Sequence, residues 1–307
     1  MSLTVAARWE VDATPYNSTV TRLRHIHSEL MLLWVRPDFG RLAYLPGQYA
    51  TLGLGSWEPH LDCDEAIDGL SPRLIRRAYS ISHTPLDEAG ALVLPGDVNE
   101  LEFFIALVRH TRPGRPMLTP RLFQLQSGDR LFLDPIVHGT YTLVNLPTTC
   151  NVLFAATGTG EAPHNAMIAD LLARGHQGKI ASIVCVRKRE DLAYQQAHQH
   201  LARMFPNYRY VPLTTREAEN IDSALRGYVG KKYVQDVLRA ADTERTLGFP
   251  LAPQNTHVFL CGNPEMIGLT AAEPPNLNSG AIGLLTELGF TIDSPAHSGN
   301  IHFERYF

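Results

Sequence analysis

Three short runs carry the residues best suited to chemistry. The first, Ala155-Ala156-Thr157-Gly158-Thr159-Gly160-Glu161-Ala162-Pro163, joins the apolar segment Asn151 to Ala156 to a stretch in which Met167, Ile168, Leu171 and Leu172 fall on one helical face. It reads as a strand, a glycine turn and a helix start, with Pro163 suited to the first helical position. Such a turn aims free backbone N–H groups at an anion. Gly158 and Gly160 can take backbone angles that a side chain forbids and let a phosphate come close, and the helix N-terminus adds partial positive charge. The second run, Arg76-Arg77-Ala78-Tyr79-Ser80-Ile81-Ser82, sets a cation, an aromatic ring and a hydroxyl within four residues. Strand alternation sends Arg77 and Tyr79 to one face, where a guanidinium can pair with a phosphate while a ring packs on a flat ligand. In the third, His257 to Leu260 leads into Cys261-Gly262-Asn263-Pro264-Glu265-Met266, which puts a cysteine at a strand end.

In this order the three runs resemble the ferredoxin–NADP(+) reductase family, closest to its bacterial members, whose flavin motif is R-x-Y-S and whose nicotinamide-side motifs are G-T-G-x-A-P and C-G-x-P-x-M. The likeness runs from about Leu45 to the aromatic chain end Tyr306-Phe307. It implies FAD, with Arg77 on a phosphate, Tyr79 against the ring and the Ser80 hydroxyl at the flavin N5 edge. It also implies NADP(H), with Gly158, Thr159 and Gly160 at the pyrophosphate and Cys261 near the nicotinamide. Ser80, Tyr79 and Cys261 are then the catalytic candidates, and the cysteine acts by positioning, because hydride transfer needs rings held at near-attack distance and no nucleophile. Met117-Leu118-Thr119-Pro120-Arg121-Leu122 resembles the second flavin segment, G-x-[ST] before a helix, so Thr119 is expected at the FAD pyrophosphate. Pro116 or Met117 stands where the glycine would, and a capping threonine followed by proline is an equal reading. The resemblance of the ending, His302 with Glu304-Arg305-Tyr306-Phe307, places Phe307 beside the FAD.

Coenzyme preference has its own signal. Val184-Cys185-Val186 is followed by Arg187-Lys188-Arg189, where an NAD-preferring protein more often shows an acid for the ribose hydroxyls. Arg216, in Thr214-Thr215-Arg216-Glu217, and Lys231-Lys232 resemble the family's 2′-phosphate pocket, so NADP is expected. The activity implied is FAD-dependent electron transfer between NADPH and an acidic one-electron carrier, ferredoxin or flavodoxin. The alternatives are a flavin or ferric reductase of the same superfamily and a non-catalytic flavin- or nucleotide-sensing module.

The elements that must hold these residues form two patterns. Thr19 to His27, Glu29 to Val35, Gln48 to Leu54, Arg76 to Ile81, Leu101 to Val108 and Asp129 to Leu133 are short strands punctuated by Gly and Pro, as in a small antiparallel barrel. Residues 56–74 and 86–99 are long for barrel loops and read as surface excursions. After Pro147 strands and helices alternate: strands at Asn151 to Ala156, Ile180 to Val186, Tyr208 to Pro212 and His257 to Leu260, helices at Pro163 to Arg174, Asp191 to Phe205 and Tyr233 to Arg239. That is a doubly wound α/β parallel sheet, whose ligands sit at the carboxyl ends of its strands. The expected division is an FAD-binding β-barrel domain over 1–147 and an NADP-binding α/β domain over 148–307.

Composition is that of a globular chain, with 44% hydrophobic and 19% charged residues among 307. No run reaches the length of a membrane span, and Met1 to Tyr16 lacks the features of a signal peptide, so a cytoplasmic monomer is expected. The four cysteines lie far apart and offer neither a zinc pattern nor iron–sulfur ligands. A net charge of −4 argues against a nucleic-acid partner. Charge is uneven, however: Ala106 to Gln124 holds Arg109, Arg112, Arg115 and Arg121 and no acid, a basic stretch that would steer an acidic carrier.

Overall fold

The computed structural model describes residues 15–62, 72–96, 99–109, 117–143, 145–268, 280–294 and 297–305. Strands β1 (Ser18–His27), β2 (Leu30–Pro37), β3 (Tyr49–Gly55), β4 (Leu74–Ser82), β5 (Leu101–Ala106) and β6 (Arg130–Leu133) close an antiparallel barrel in the order β1-β2-β5-β4-β3-β6. Alternation fills it: Val20, Met31, Leu33, Val35, Leu52, Leu54, Ile81 and Phe103 point inward, and Leu118, Leu122 and Phe123 around α1 (Thr119–Leu122) pack on the same core. β2 is apolar on both faces for a separate reason. Its outward residues Leu30, Leu32 and Trp34, with Phe104 of β5, pack on Ala162 and Tyr194 from the second half of the chain.

That half is a five-stranded parallel sheet of β7 (Asn151–Thr157), β8 (Ile180–Val186), β9 (Tyr208–Thr214), β10 (Thr256–Gly262) and β11 (Ile301–Arg305), ordered β11-β10-β7-β8-β9. Its helices are α2 (Glu161–Ala173), α3 (Gln195–Met204), α4 (Ala218–Ile221), α5 (Val234–Arg239), α6 (Thr243–Leu247), α7 (Pro264–Ile267) and α8 (Gly280–Glu287). α2 and α3 cover one face of the sheet, α5 and α8 the other. The expected barrel and doubly wound sheet are both present. No helix among the described residues is long and apolar enough to cross a membrane.

Several local expectations need correction. β11 is a strand that sequence reasoning left out, as are the helices α4, α6, α7 and α8. The helix expected from Asp191 begins only at Gln195, after a tight turn at Arg189–Asp191. Part of 86–99 is no mere surface excursion: Leu86 and Leu92 bridge to each other and pack against the core beneath α2 and α3. Residues 63–71 of the stretch 56–74 lie outside the described residues.

The two halves are also tied by polar contacts. The buried Glu102 carboxylate accepts from Trp34 Nε1 at 3.1 Å, from Thr84 N at 2.8 Å and from Tyr194 OH at 2.5 Å, and the Tyr194 hydroxyl lies 2.8 Å from Ser82 Oγ. A buried carboxylate held by three or more donors fixes a geometry, because moving either half would strand its charge.

Candidate functional site

The glycine turn and the cysteine run, about a hundred residues apart in sequence, meet at the carboxyl ends of β7 and β10. A Cβ on Gly160 would collide with the carbonyl of Cys261, and one on Gly262, at φ +123°, would collide with Thr157. Thr157 Oγ1 accepts from Asn263 N at 2.7 Å, and Asn263 Oδ1 caps α7 by accepting from Glu265 N at 2.9 Å. Gly160 has an ordinary helical φ of −61°, so its missing side chain serves close packing between the two turns and not access for a ligand. Gly158 behaves as expected: φ is +53° and nothing lies within 4 Å of where a Cβ would be.

In front of this turn lies a cleft of about 980 Å³. Thr157, Gly158 and Thr159 line it with Val186 at the end of β8 and Arg187 beyond it, Thr215 after β9, Gly262 at the end of β10 and Asn263 beyond it, and Val234 and Arg239 of α5 with Tyr233 just before that helix. His27, Leu30 and Leu107 of the barrel side close the opposite wall, where His27 Nε2 lies 2.9 Å from Asp191 Oδ1. Among the expected cations, Arg187 lines the cleft. Lys188 pairs with Glu190 at 3.3 Å and Arg189 with Glu219 at 2.5 Å. Arg216 sits beside Arg187, since its N–H donates to the Arg187 carbonyl at 2.7 Å, but its exposed side chain does not line the cleft. Lys231 and Lys232 are exposed and also lie outside the lining. Arg239, which sequence reasoning missed, is in it; its signal was position, in the last turn of a helix whose start faces the strand ends.

On the barrel side, β4 carries the second run. Arg77 is exposed and donates to the Arg76 carbonyl at 2.7 Å. The Tyr79 ring packs edge-on against Phe103, with centroids 6.5 Å apart, and burial raises its phenol well above the ordinary range. Ser80 Oγ, on the opposite face of the strand, donates to Glu304 Oε2 of β11 at 3.0 Å. Glu304 was no candidate from sequence, where a near-terminal glutamate reads as a solvated charge. Burial pushes its carboxyl up to about 7, against which the Ser80 bond acts only in part. Cys261, fully buried, is the register partner of Glu304 in the sheet, so Ser80, Glu304 and Cys261 come together where barrel and sheet meet.

Thr119 is placed differently from expectation. Its hydroxyl accepts from Val108 N at 2.9 Å and lies 3.3 Å from Val108 O, closing a loop instead of facing a ligand. It does not cap either, since Leu118 precedes the helix and no side chain bonds the helix end. Arg121 is fully buried and donates to the carbonyls of Met117 at 2.8 Å and Ser56 at 3.0 Å, which removes it from any docking surface. Arg112, Arg115, Tyr306 and Phe307 lie outside the described residues.

Comparison with known proteins agrees with this geometry. Residues 154–272 match the model of the oxidoreductase NAD-binding domain. The chain is 25% identical over 249 residues to the flavodoxin/ferredoxin–NADP reductase of Escherichia coli, covering 81% of this chain and 85% of that one. It is 28% identical over 235 residues to the ferredoxin–NADP reductase of Azotobacter vinelandii, covering 74% and 76%. Among solved structures, the ferredoxin NADP+ reductase of Neisseria gonorrhoeae with bound FAD and NADP superposes with a TM-score of 0.70 at 22% identity, over 96% of this chain and all of that one. A barrel followed by a parallel sheet, a glycine turn locked against a Cys-Gly turn and sequence likeness across both halves point the same way: the chain carries an oxidoreductase NAD-binding domain and is similar over most of its length to the ferredoxin–NADP(+) reductases.

Proposed function

We propose that the chain holds FAD and NADP(H) and passes electrons between NADPH and a small one-electron carrier, ferredoxin or flavodoxin, the partners named for its relatives. We place the division between an FAD half and an NADP half at Pro147. The observation that carries the reading is the Ser80–Glu304 contact of 3.0 Å, which joins the flavin-type strand of the barrel to the last strand of the nucleotide-type sheet. The residues present fit both groups. Gly158 leaves open space at a helix start, Arg187 and Arg239 supply cations for phosphates, and the cleft has the size of a dinucleotide-type site. β4 carries an exposed guanidinium, Arg77, three residues before a buried hydroxyl, Ser80.

When bound, a flavin supplies the exchange between hydride and single electrons, and the protein contributes orientation and electrostatics. In this reading the Gly158–Thr159 amides and the start of α2 hold the coenzyme pyrophosphate. Arg187, with Arg216 beside it, selects the 2′-phosphate, and Lys231 and Lys232 contribute only at longer range. Arg77 pairs with a flavin phosphate. Tyr79 keeps one side of the junction dry, and Cys261 keeps the ring seat compact. Ser80 and Glu304 hold a proton between two oxygens, and a carboxyl with a pKa of about 7 can take or give that proton near neutrality. The carrier would approach the barrel side near Arg109, whose guanidinium also holds the Asp62 carbonyl at 2.9 Å.

The test is an absorbance spectrum of the purified protein under anaerobic conditions. The expected result is a flavin band that NADPH bleaches much faster than NADH does, followed by reduction of added ferredoxin or flavodoxin that slows as salt rises. Bleaching with transfer only to free flavin or ferric chelates would assign the reductase alternative. A flavin band untouched by NADPH would assign the sensing module.

A further inference from the structure

One strand of the barrel bonds to the second half of the chain at two separate places, and the second of them lies outside the site just described. β4 sets Ser80 and Ser82 on one face, about 7 Å apart by strand rise. Ser80 Oγ reaches Glu304 of β11, and Ser82 Oγ lies 2.8 Å from the hydroxyl of Tyr194, the residue that opens α3. By register Ser82, Glu102 and Trp34 stand side by side on β4, β5 and β2. Glu102 Oε2 accepts from Trp34 Nε1 at 3.1 Å, from Thr84 N at 2.8 Å and from Thr84 Oγ1 at 2.7 Å, while Oε1 accepts from the Tyr194 hydroxyl at 2.5 Å. The Tyr194 ring is buried and meets Phe104 edge-on, with centroids 5.3 Å apart.

A phenol has one hydrogen to give, and here Glu102 Oε1 takes it, so the Ser82 hydroxyl donates to the Tyr194 oxygen. Burial and the adjacent Glu102 hold the phenol far above the neutral range, which keeps that hydrogen in place. What the bonds hold is a short segment. Arg187, which lines the cleft, and Tyr194 are the two ends of the connection from β8 to α3. Inside it Lys188 N donates to Asp191 Oδ2 at 2.8 Å, and at its start Arg216 N donates to the Arg187 carbonyl at 2.7 Å. On the cleft wall His27 of β1 meets the same Asp191. The cleft-facing arginine and the barrel anchor therefore belong to one braced piece of backbone. Two contacts on one strand set an angle as well as a distance between the halves, where one contact alone would leave a pivot. Such settings matter, because a shift of about 1 Å caused far from the reacting atoms can slow a positioned reaction about a hundredfold.

We propose that Tyr194, held by Glu102 and Ser82, is a positioning residue for hydride transfer, registering the coenzyme-side segment after β8 against the flavin-type strand β4. This rests on the electron-transfer reading above and adds a residue that lies outside the three motif runs. Its contribution is distance and angle alone: no proton or electron passes through Tyr194, Glu102 or Ser82. Loss of the hydroxyl should leave each cofactor seat intact and spoil their alignment, so the rate at saturation falls while the affinities hold.

Tyr194→Phe keeps the ring against Phe104 and leaves Glu102 its bonds to Trp34 and Thr84. Anaerobic stopped-flow bleaching of the FAD-loaded variant at saturating NADPH should slow at least about tenfold, with FAD retention and the Kd for NADP+ within about twofold of wild type. Amide hydrogen exchange should quicken over residues 188–195 and stay unchanged in β7 and β10. Glu102→Gln should rescue the geometry: its oxygen can stay with Trp34 and Thr84 while its N–H donates to the Tyr194 oxygen, whose hydrogen turns to Ser82, so bleaching should stay within about threefold of wild type. An unchanged bleaching rate in Tyr194→Phe would overturn the proposal. So would a fall in rate matched by both affinities, the mark of a purely structural role, or a loss in Glu102→Gln as large as that in Tyr194→Phe. Should Tyr194→Phe not fold, Ser82→Ala carries the test, with a loss of about threefold at unchanged Kd supporting the proposal and no loss overturning it. Wild type that holds FAD and is not bleached by NADPH would instead defeat the electron-transfer reading itself.

Discussion

The two faces of the parallel sheet are built on opposite principles. Under α5 and α8 the residues Leu153, Ala155, Ala181, Ile183, Val258 and Leu260 meet Val237, Ile282 and Leu285, and the thiol of Cys185 in the same cluster is pushed up to about 11 by burial. Under α2 and α3, Phe154, Ser182 and Tyr210 form one row across β7, β8 and β9 by register, covered by His164 at 5.0 Å from Phe154 and His198 at 4.6 Å from Tyr210. The same face continues through Phe259 and Cys261 to His302 and Glu304 at the junction with the barrel. An apolar layer contributes burial energy and nothing else. A polar layer costs desolvation and is tolerable only when its groups are paired or hydrated, so its location marks where charge is used. Both the glycine turn and the Ser80–Glu304 contact belong to the polar face.

The largest effect that distinguishes the faces is expected on the apolar one. Ile282→Ala removes a fully buried side chain and should cost about 2–5 kcal/mol, by lost transfer energy and by the cavity left behind. Urea melts at pH 6 and pH 8.5 should show the same loss, since the side chains packed with Ile282 are apolar and burial holds the Cys185 thiol of the same cluster up to about 11. A loss that changes with pH would mean that the two faces are not separate in energy. On the polar face, Tyr208→Phe keeps the ring and strips the hydroxyl from His198 Nδ1. Leaving that nitrogen without its partner should cost about 1–3 kcal/mol in urea melts at neutral pH. A variant as stable as wild type would mean that the polar layer does not depend on the Tyr208–His198 bond.

Sequence reasoning read the apolar parts well and the polar layer poorly, for physical reasons. The barrel strands declare themselves by alternation, and β7, β8 and β10 by unbroken apolar runs between turns, because burial dictates those residues directly. β11 carries only five residues near the chain end, and its Ile-His-Phe-Glu alternation was read as a tail. Glu161 looks like the acid that commonly decorates a helix start, and His198 sits in a helix otherwise rich in Gln; nothing local says that both turn inward, because their partners come from β9 and from each other's helix. Thr119 and Gly160 fail in the opposite way. Each has the residue type of a ligand contact but is spent on the main chain of a distant segment, Val108 for one and Cys261 for the other. Arg187 was legible because it directly follows a strand in a doubly wound sheet, and Arg239 was not, because a helix end carries no such rule.

The smallest predicted effect tests where the polar face ends. Glu304 has a folded-state pKa raised to about 7 by burial, against an ordinary 4.5. The folded protein therefore holds a proton there that the unfolded chain has already lost, so its contribution is most favourable at low pH and declines as pH rises from about 4.5 to about 7, staying flat beyond. Glutamine cannot titrate and can still accept from Ser80. Relative to wild type, Glu304→Gln should be near neutral at pH 4.5 and gain on the order of 1–2 kcal/mol by pH 8, less than the full shift implies because the carboxyl keeps some contact with solvent. Paired urea melts at the two pH values measure it. A gain that is the same at both would mean that Glu304 is already ionised at pH 4.5 in the folded protein, in which case the proton-holding role assigned to the Ser80–Glu304 pair fails and the polar face stops at Cys261.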